Sequence, residues 1–169
     1  MTTEESISTR QSTRVFDGSP IAKKEIEAIL KAGFEAPSAM NRRPYELVVN
    51  TDNAFWDTFK DVKPSCSIAA KAALTILVVG DSNKNPTNEF MIEDASTVSE
   101  NMLLEATYLG YGSLWCGIKF ESDFYKRLIS YFGLPDGFIP VSLILVGKPA
   151  PKKTIRDRYE EKKIHYGKF

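Results

Sequence analysis

Arginine at positions 10 and 14, with serine at 12, makes the first chemically loaded pattern of the chain: Arg10-Gln11-Ser12-Thr13-Arg14-Val15-Phe16. Two guanidinium groups at i and i+4, with a hydroxyl between them, can grip an anion from one helical or turn-like face. A second stretch, Ala36-Pro37-Ser38-Ala39-Met40-Asn41-Arg42-Arg43-Pro44-Tyr45, is a Pro-bounded polar loop that feeds the apolar run Leu47-Val48-Val49. A third runs Gly110-Tyr111-Gly112-Ser113-Leu114-Trp115-Cys116-Gly117-Ile118, where Gly117 permits close backbone approach to a ligand. A fourth, Arg156-Asp157-Arg158, adds a pair of guanidinium groups in the tail. Each has a plain reading when taken singly. The arginines make a solvated charged face, the loop is a turn into a strand, and Cys116 is a buried strand residue. The Gly-rich string is not a G-x-G-x-x-G fingerprint.

Composition narrows what these patterns can serve. The chain has 169 residues, 43% hydrophobic and 26% charged, which suits one domain with a sizeable core. Lys and Arg number 22, Asp and Glu also 22, so no global charge draws the chain to nucleic acid or an anionic membrane. An anion site must therefore be local, as a small phosphorylated ligand needs. The longest apolar run, Leu143-Ile144-Leu145-Val146, is strand-sized and cannot span a bilayer. The opening Met1-Thr2-Thr3-Glu4-Glu5-Ser6 is acidic and polar, the opposite of a signal peptide, so a cytoplasmic location is expected. Cys66 and Cys116 have no metal-type spacing and read as two buried thiols in a reducing compartment. His165 is the only histidine, which argues against a metal site.

The elements that must position these residues can be read from periodicity. Ser19-Pro20 looks like a helix start, with Ile26, Ile29, Leu30 and Gly33 on one face. Strands are predicted over Tyr45 to Asn50, Leu74 to Val79, Ser113 to Ile118 and Ile139 to Val146. Asn53 caps a short aromatic helix through Phe55, Trp56 and Phe59. The longest helix runs from Phe90 to Leu109, with a core stripe of Ala95, Val98, Met102, Ala106 and Leu109. Another starts at Ser122 and stops at Gly133. Without strict βαβ alternation, this predicts a layered α+β domain over 1–169, its central mixed or antiparallel sheet flanked by helices. The tail from Lys152 to Phe169 is charged yet carries Ile155, Tyr159, Ile164, Tyr166 and Phe169. Such a tail is expected to lie on a neighbouring surface, such as a partner subunit.

In order and type, the four stretches resemble the FMN-binding elements of the nitroreductase family, whose patterns include R-x-S-x-[RK]-x-[FY] and P-S-x-x-N-x-Q-P-[WY]. The resemblance spans Arg10 to Tyr166 and implies an obligate homodimer with two FMN sites at the interface and a swapped C-terminal arm, about 150–169. It implies that Arg10, with Gln11 beside it, and Ser12 meet the FMN phosphate and ribityl chain. Arg14 would stabilise the flavin N1/O2 edge electrostatically. Pro37, Ser38 and Ala39 would cover the ring from the other subunit, with Asn41 near the cofactor and Met40 facing the substrate. In the Trp115-Cys116-Gly117 run, backbone N–H groups of Cys116 and Gly117 would face N5 and O4. Arg158, joined by Arg156 or by Lys153, would complete the phosphate site. Arg43 departs from the family's Gln, and its role stays open. The implied reaction is ping-pong: NADH or NADPH supplies a hydride, and a nitroaromatic, quinone or related acceptor is reduced. No catalytic side chain and no metal is required. A redox sensor or storage protein, a reductive dehalogenase and a flavin-consuming enzyme remain alternatives. The acceptor and the choice of NADH or NADPH are not written in any motif.

Overall fold

The computed structural model describes residues 1–84, 90–148 and 157–169, and within these not the side chains of 53–55 and 65–67. Lys152, Lys153, Ile155, Arg156 and the Cys66 side chain lie outside that description. Four strands, β1 (Tyr45–Asn50), β2 (Leu74–Asp81), β3 (Gly112–Gly117) and β4 (Phe138–Gly147), form one sheet in the order β1-β2-β4-β3. All three pairings are antiparallel. The fold is α+β.

The two central strands read as unbroken apolar runs because both of their faces are covered. Every residue of β2 is buried, as are six consecutive residues of β4. Alternation along each strand splits the core in two. Ile76, Val78, Ile144 and Val146 pack on one face with Ile29, Ala95, Val98 and Met102. Leu77, Val79, Leu143 and Leu145 pack on the other with Trp56, Phe59, Phe124 and Leu128. The first layer is made by helices α2 (Lys23–Phe34) and α3 (Met91–Tyr108), the second by α4 (Asp123–Phe132) and 3-10 turns over Asn53–Phe59 and Pro64–Lys71. The stripe predicted on α3 is core, with Ala95, Val98, Met102 and Ala106 fully buried. At Gly33 α2 comes so close to α3 that a Cβ would lie 2.9 Å from Met102 Cγ.

Helix ends follow their caps. The Ser122 hydroxyl accepts the Tyr125 N–H at 3.2 Å, and Gly133 closes α4 in the left-handed region at φ 61°. The start predicted at Ser19-Pro20 is displaced to Lys23. There Asp17 makes a turn instead, its carboxylate accepting the Ser19 N–H at 2.8 Å. An unpredicted helix, α1 (Thr3–Thr9), opens the chain on a capping box between Thr2 and Glu5, with bonds of 2.8 and 3.1 Å.

One contact gives the fold a pH signature. The Tyr111 hydroxyl, on the turn before β3, donates to Glu25 of α2 at 2.6 Å. Burial, then this bond to an acidic partner, pushes the Tyr111 hydroxyl up to about 12 from an ordinary 10.0. The folded state thus favours the protonated phenol. That contribution is whole below the unfolded value and is lost as pH rises through the folded one. Chemical denaturation series should show stability falling between pH 10.0 and about 12, and Tyr111→Phe should fall less steeply over that window. Equal slopes in parent and variant would show that Tyr111 does not carry the effect.

Candidate functional site

The basic opening segment is fastened to the edge strand β3. α1 ends at Thr9, and the chain then runs extended, with Arg10 at φ −56° and ψ 126°. The Thr13 N–H donates to the Ser113 carbonyl at 2.8 Å, beside an isolated parallel bridge between Ser12 and Ser113. Gly112 makes this approach possible, since a Cβ there would lie 2.7 Å from both Thr13 Oγ1 and Thr13 Cγ2. Phe16 is buried in the second core layer, and the Asp17 N–H donates to Lys148 O at 2.6 Å. The helical or turn-like face expected for Arg10 and Arg14 is therefore an extended one. Committing the Thr13 backbone to β3 leaves no helical bond for it to make. Thr13 points inward, while Ser12 and Arg14, two residues apart, are exposed. Arg14 has no ion pair among the described residues, whereas Arg10 meets Glu100 of α3 at 3.4 Å.

Further along β3, Ser113, Leu114 and Cys116 are buried, Trp115 is half-buried and Gly117 is exposed. Nothing lies within 4 Å of where a Gly117 side chain would start, so a flat ring can approach this backbone. The Lys63 ammonium sits 3.4 Å from the Gly117 carbonyl and 5.5 Å from the Phe124 ring centroid.

The loop from Pro37 to Arg43 carries the densest backbone strain. Met40, Asn41 and Arg43 all hold left-handed φ angles, at 52°, 54° and 48°. Its hydrogen bonds over-determine it. Asp94 Oδ1 accepts the Ala39 N–H at 2.9 Å, Thr97 donates to Pro37 O at 3.2 Å, and Ser38 Oγ accepts the Arg43 N–H at 3.0 Å. Arg43 Nε donates to Asn41 Oδ1 at 3.1 Å, so the residue in place of the family's Gln braces its own loop. Met40 is 75% exposed at the loop's crest. Asp94 is buried, and among the described residues its second oxygen has no partner.

Two of the four predicted stretches are thus brought together within one chain, 10–14 and β3. The 37–43 loop is seated on the start of α3, six residues before Glu100, or about 9 Å along the helix axis. No hydrogen bond or ion pair links it to Arg10, Ser12 or Arg14 among the described residues. In the tail, Arg158 is exposed and every hydrogen bond and ion pair described for 157–169 is internal. Tyr159, Tyr166 and Phe169 are exposed there, with His165 against Phe169 at 4.2 Å. Arg156 lies outside the described residues. Sequence reading missed Lys63, Asp94, Thr97 and Glu100, because each acts through a neighbour distant in the chain and none belongs to a local pattern. Among the described residues no cluster could hold a metal ion, and no helix is long and apolar enough to cross a membrane.

The frame is thus an α+β sheet whose edge strand carries a pinned cationic segment and an open glycine. The Nitroreductase family model matches residues 7–148, and the chain belongs to that family. It is an oxidoreductase. A protein of Archaeoglobus fulgidus described as "Putative NADH dehydrogenase/NAD(P)H nitroreductase" is 32% identical over 168 residues, covering 96% of each chain. One of the same description from Methanothermobacter thermautotrophicus is 31% identical over 98% of this chain and 86% of its own. The crystal structure of another so described, from Parabacteroides distasonis, superimposes with a TM-score of 0.90 at 31% identity, over 99% of this chain and 98% of that one. An "FMN-dependent Nitroreductase" of Clostridium difficile shares the fold at a TM-score of 0.86 and 24% identity, over 98% of this chain and 99% of that one.

Proposed function

We propose that this chain is an FMN-dependent NAD(P)H oxidoreductase that works as a homodimer and reduces nitroaromatic, quinone or related acceptors. The observation that carries the reading is the pinning of residues 12 and 13 to Ser113. It joins the cationic segment to the strand whose end presents Cys116 and Gly117, across a hundred residues of sequence. The donor set fits FMN. Arg14, which has no ion pair among the described residues, and the exposed Ser12 hydroxyl suit an anionic, oxygen-rich ligand, and the open space at Gly117 suits a planar ring. When bound, FMN would take a hydride equivalent from NAD(P)H and pass two electrons to the acceptor.

The chain's own residues would bind and orient. Arg10, released from Glu100, would hold the phosphate together with Ser12 and Arg158, and Gln11 would lie alongside. Cys116 and Gly117 would present backbone N–H groups to the ring's N5 and O4, next to Trp115. Pro37, Ser38 and Ala39 of the partner subunit would cover the ring and exclude water, with Asn41 of the partner subunit near the cofactor and Met40 of the partner subunit at the acceptor space. The strained, over-determined loop supports this role, since a rigid cover fixes the space an acceptor enters. The unpacked apolar side chains of 157–169 support an arm on the second subunit.

Arg14 would stand at the N1/O2 edge, where its fixed positive charge stabilises the ring after two electrons arrive. Arg14→Gln keeps hydrogen-bonding capacity and deletes the charge. Loss of an interaction worth about 1.4 kcal/mol would lower the two-electron potential by about 30 mV. Anaerobic equilibration of parent and variant with a reference dye measures this, and an unchanged or higher potential would remove Arg14 from that edge.

A further inference from the structure

Lys63 is a cation without a role in the function proposed above, and its side chain is placed against β3. Its backbone is held on both sides. The Lys63 N–H donates to Phe59 O at 2.9 Å, and Pro64 follows, which disfavours the helical region for the residue before it. The observed φ of −145° is extended, at the junction between the two 3-10 turns. From there the half-buried side chain crosses to β3. Its ammonium lies 3.4 Å from the Gly117 carbonyl and over the Phe124 ring, which is itself buried.

No carboxylate neutralises this ammonium among the described residues. The nearest acid in sequence, Asp61, is bound to Arg127 at 2.6 Å, a contact that holds its carboxyl below the usual range. Of three ammonium protons, a neutral carbonyl takes one and the ring face takes none by hydrogen bonding. Two donors and a whole charge are left at the rim of the open space beside Gly117. Held at a fixed place by a neutral carbonyl and a ring face, with no acid beside it among the described residues, this ammonium keeps its charge for another partner. It is a good receptor for an anionic oxygen group.

We propose that Lys63 is a specificity-determining residue that binds a carboxylate or sulfonate carried by the electron acceptor. The inference rests on the oxidoreductase reading, which puts the flavin ring at the end of β3 and an acceptor stacked on that ring, within reach of a side chain at its rim. NAD(P)H is a second source of the same chemistry, since its phosphates are anionic oxygen groups too. In a ping-pong reaction the two occupy the space in turn, so their separate KM values distinguish them.

The test uses the flavin-loaded protein and two probes of one shape, 4-nitrobenzoate and the neutral 4-nitrobenzamide. Binding to the oxidised protein is read from perturbation of the flavin absorption, without turnover. Lys63→Met should weaken 4-nitrobenzoate by about tenfold, as loss of one charge-assisted contact implies, and leave 4-nitrobenzamide within about twofold. Lys63→Arg should restore most of the benzoate affinity. Added salt should weaken benzoate in the parent and not in Lys63→Met. In turnover, Lys63→Met should raise KM for benzoate with kcat little changed, and leave KM for NADH and NADPH alone. Equal weakening of both probes, or of neither, would overturn the proposal. So would a rise confined to KM for NADPH, which would assign the cation to the reductant's phosphate. Protein that takes up no flavin would instead contradict the oxidoreductase reading itself.

Discussion

Cutting the chain after Pro151 is expected to yield a protein that sizes as a monomer and no longer retains FMN. The tail holds Tyr159, Ile164, Tyr166 and Phe169, all exposed, and nothing described in its own chain covers them. Burial of a large apolar side chain is worth about 1.5–3 kcal/mol, so four of them on an arm give a partner surface ample reason to hold it. The same cut removes Arg158 and Arg156, and with them part of the proposed phosphate site. Light scattering and the absorption spectrum of the purified protein report the two losses together. A truncated protein that stays dimeric and fully loaded would rule out both the arm and its arginines. The core should survive, because the sheet and its two covering layers are built from residues before Lys148.

Replacing Arg158 with Ala alone is expected to weaken FMN by one to two decades and riboflavin hardly at all. Only FMN carries the phosphate that this guanidinium would meet, and a lost hydrogen bond to a charged group costs roughly 1.5–3 kcal/mol. Arg158 is exposed and makes no hydrogen bond or ion pair among the described residues, so its removal is expected to leave the fold intact. Calorimetric titration of the apoprotein with each flavin separates the outcomes. Loss of affinity for both flavins to the same extent would mean damage to the site at large, not removal of a phosphate contact.

How much of this was legible in the sequence depends on whether a signal was local. β1 matches its predicted span of Tyr45 to Asn50, because turn residues bound a short apolar run on both sides. The α3 stripe and the Ser122 and Gly133 caps were legible for the same reason. Helix α1 carried its signal too, in the Thr2–Glu5 capping box, but the two residues it buries, Ser6 and Thr9, are polar and make no apolar pattern. The basic segment was read in the wrong conformation. Spacing at i and i+4 fits a helix and an extended chain alike, and the Thr13–Ser113 bond that decides between them spans a hundred residues. Asp94 and Lys63 were invisible for a related reason. One anchors a loop from a distant helix, and the other reaches a strand end through a side chain. The family's motifs name the residues that touch a cofactor, not those that hold them in place.

The most direct test of the account is anaerobic mixing of the FMN-reconstituted protein with NADH and with NADPH, followed by addition of a quinone or nitroaromatic acceptor. The account predicts that at least one of the two reductants bleaches the flavin absorption in a single stoichiometric step. The acceptor should then restore the oxidised spectrum, one equivalent for each two electrons taken up. A protein that binds FMN with the expected preference over riboflavin, yet is bleached by neither reductant, would contradict the reading of this chain as an FMN-dependent NAD(P)H oxidoreductase.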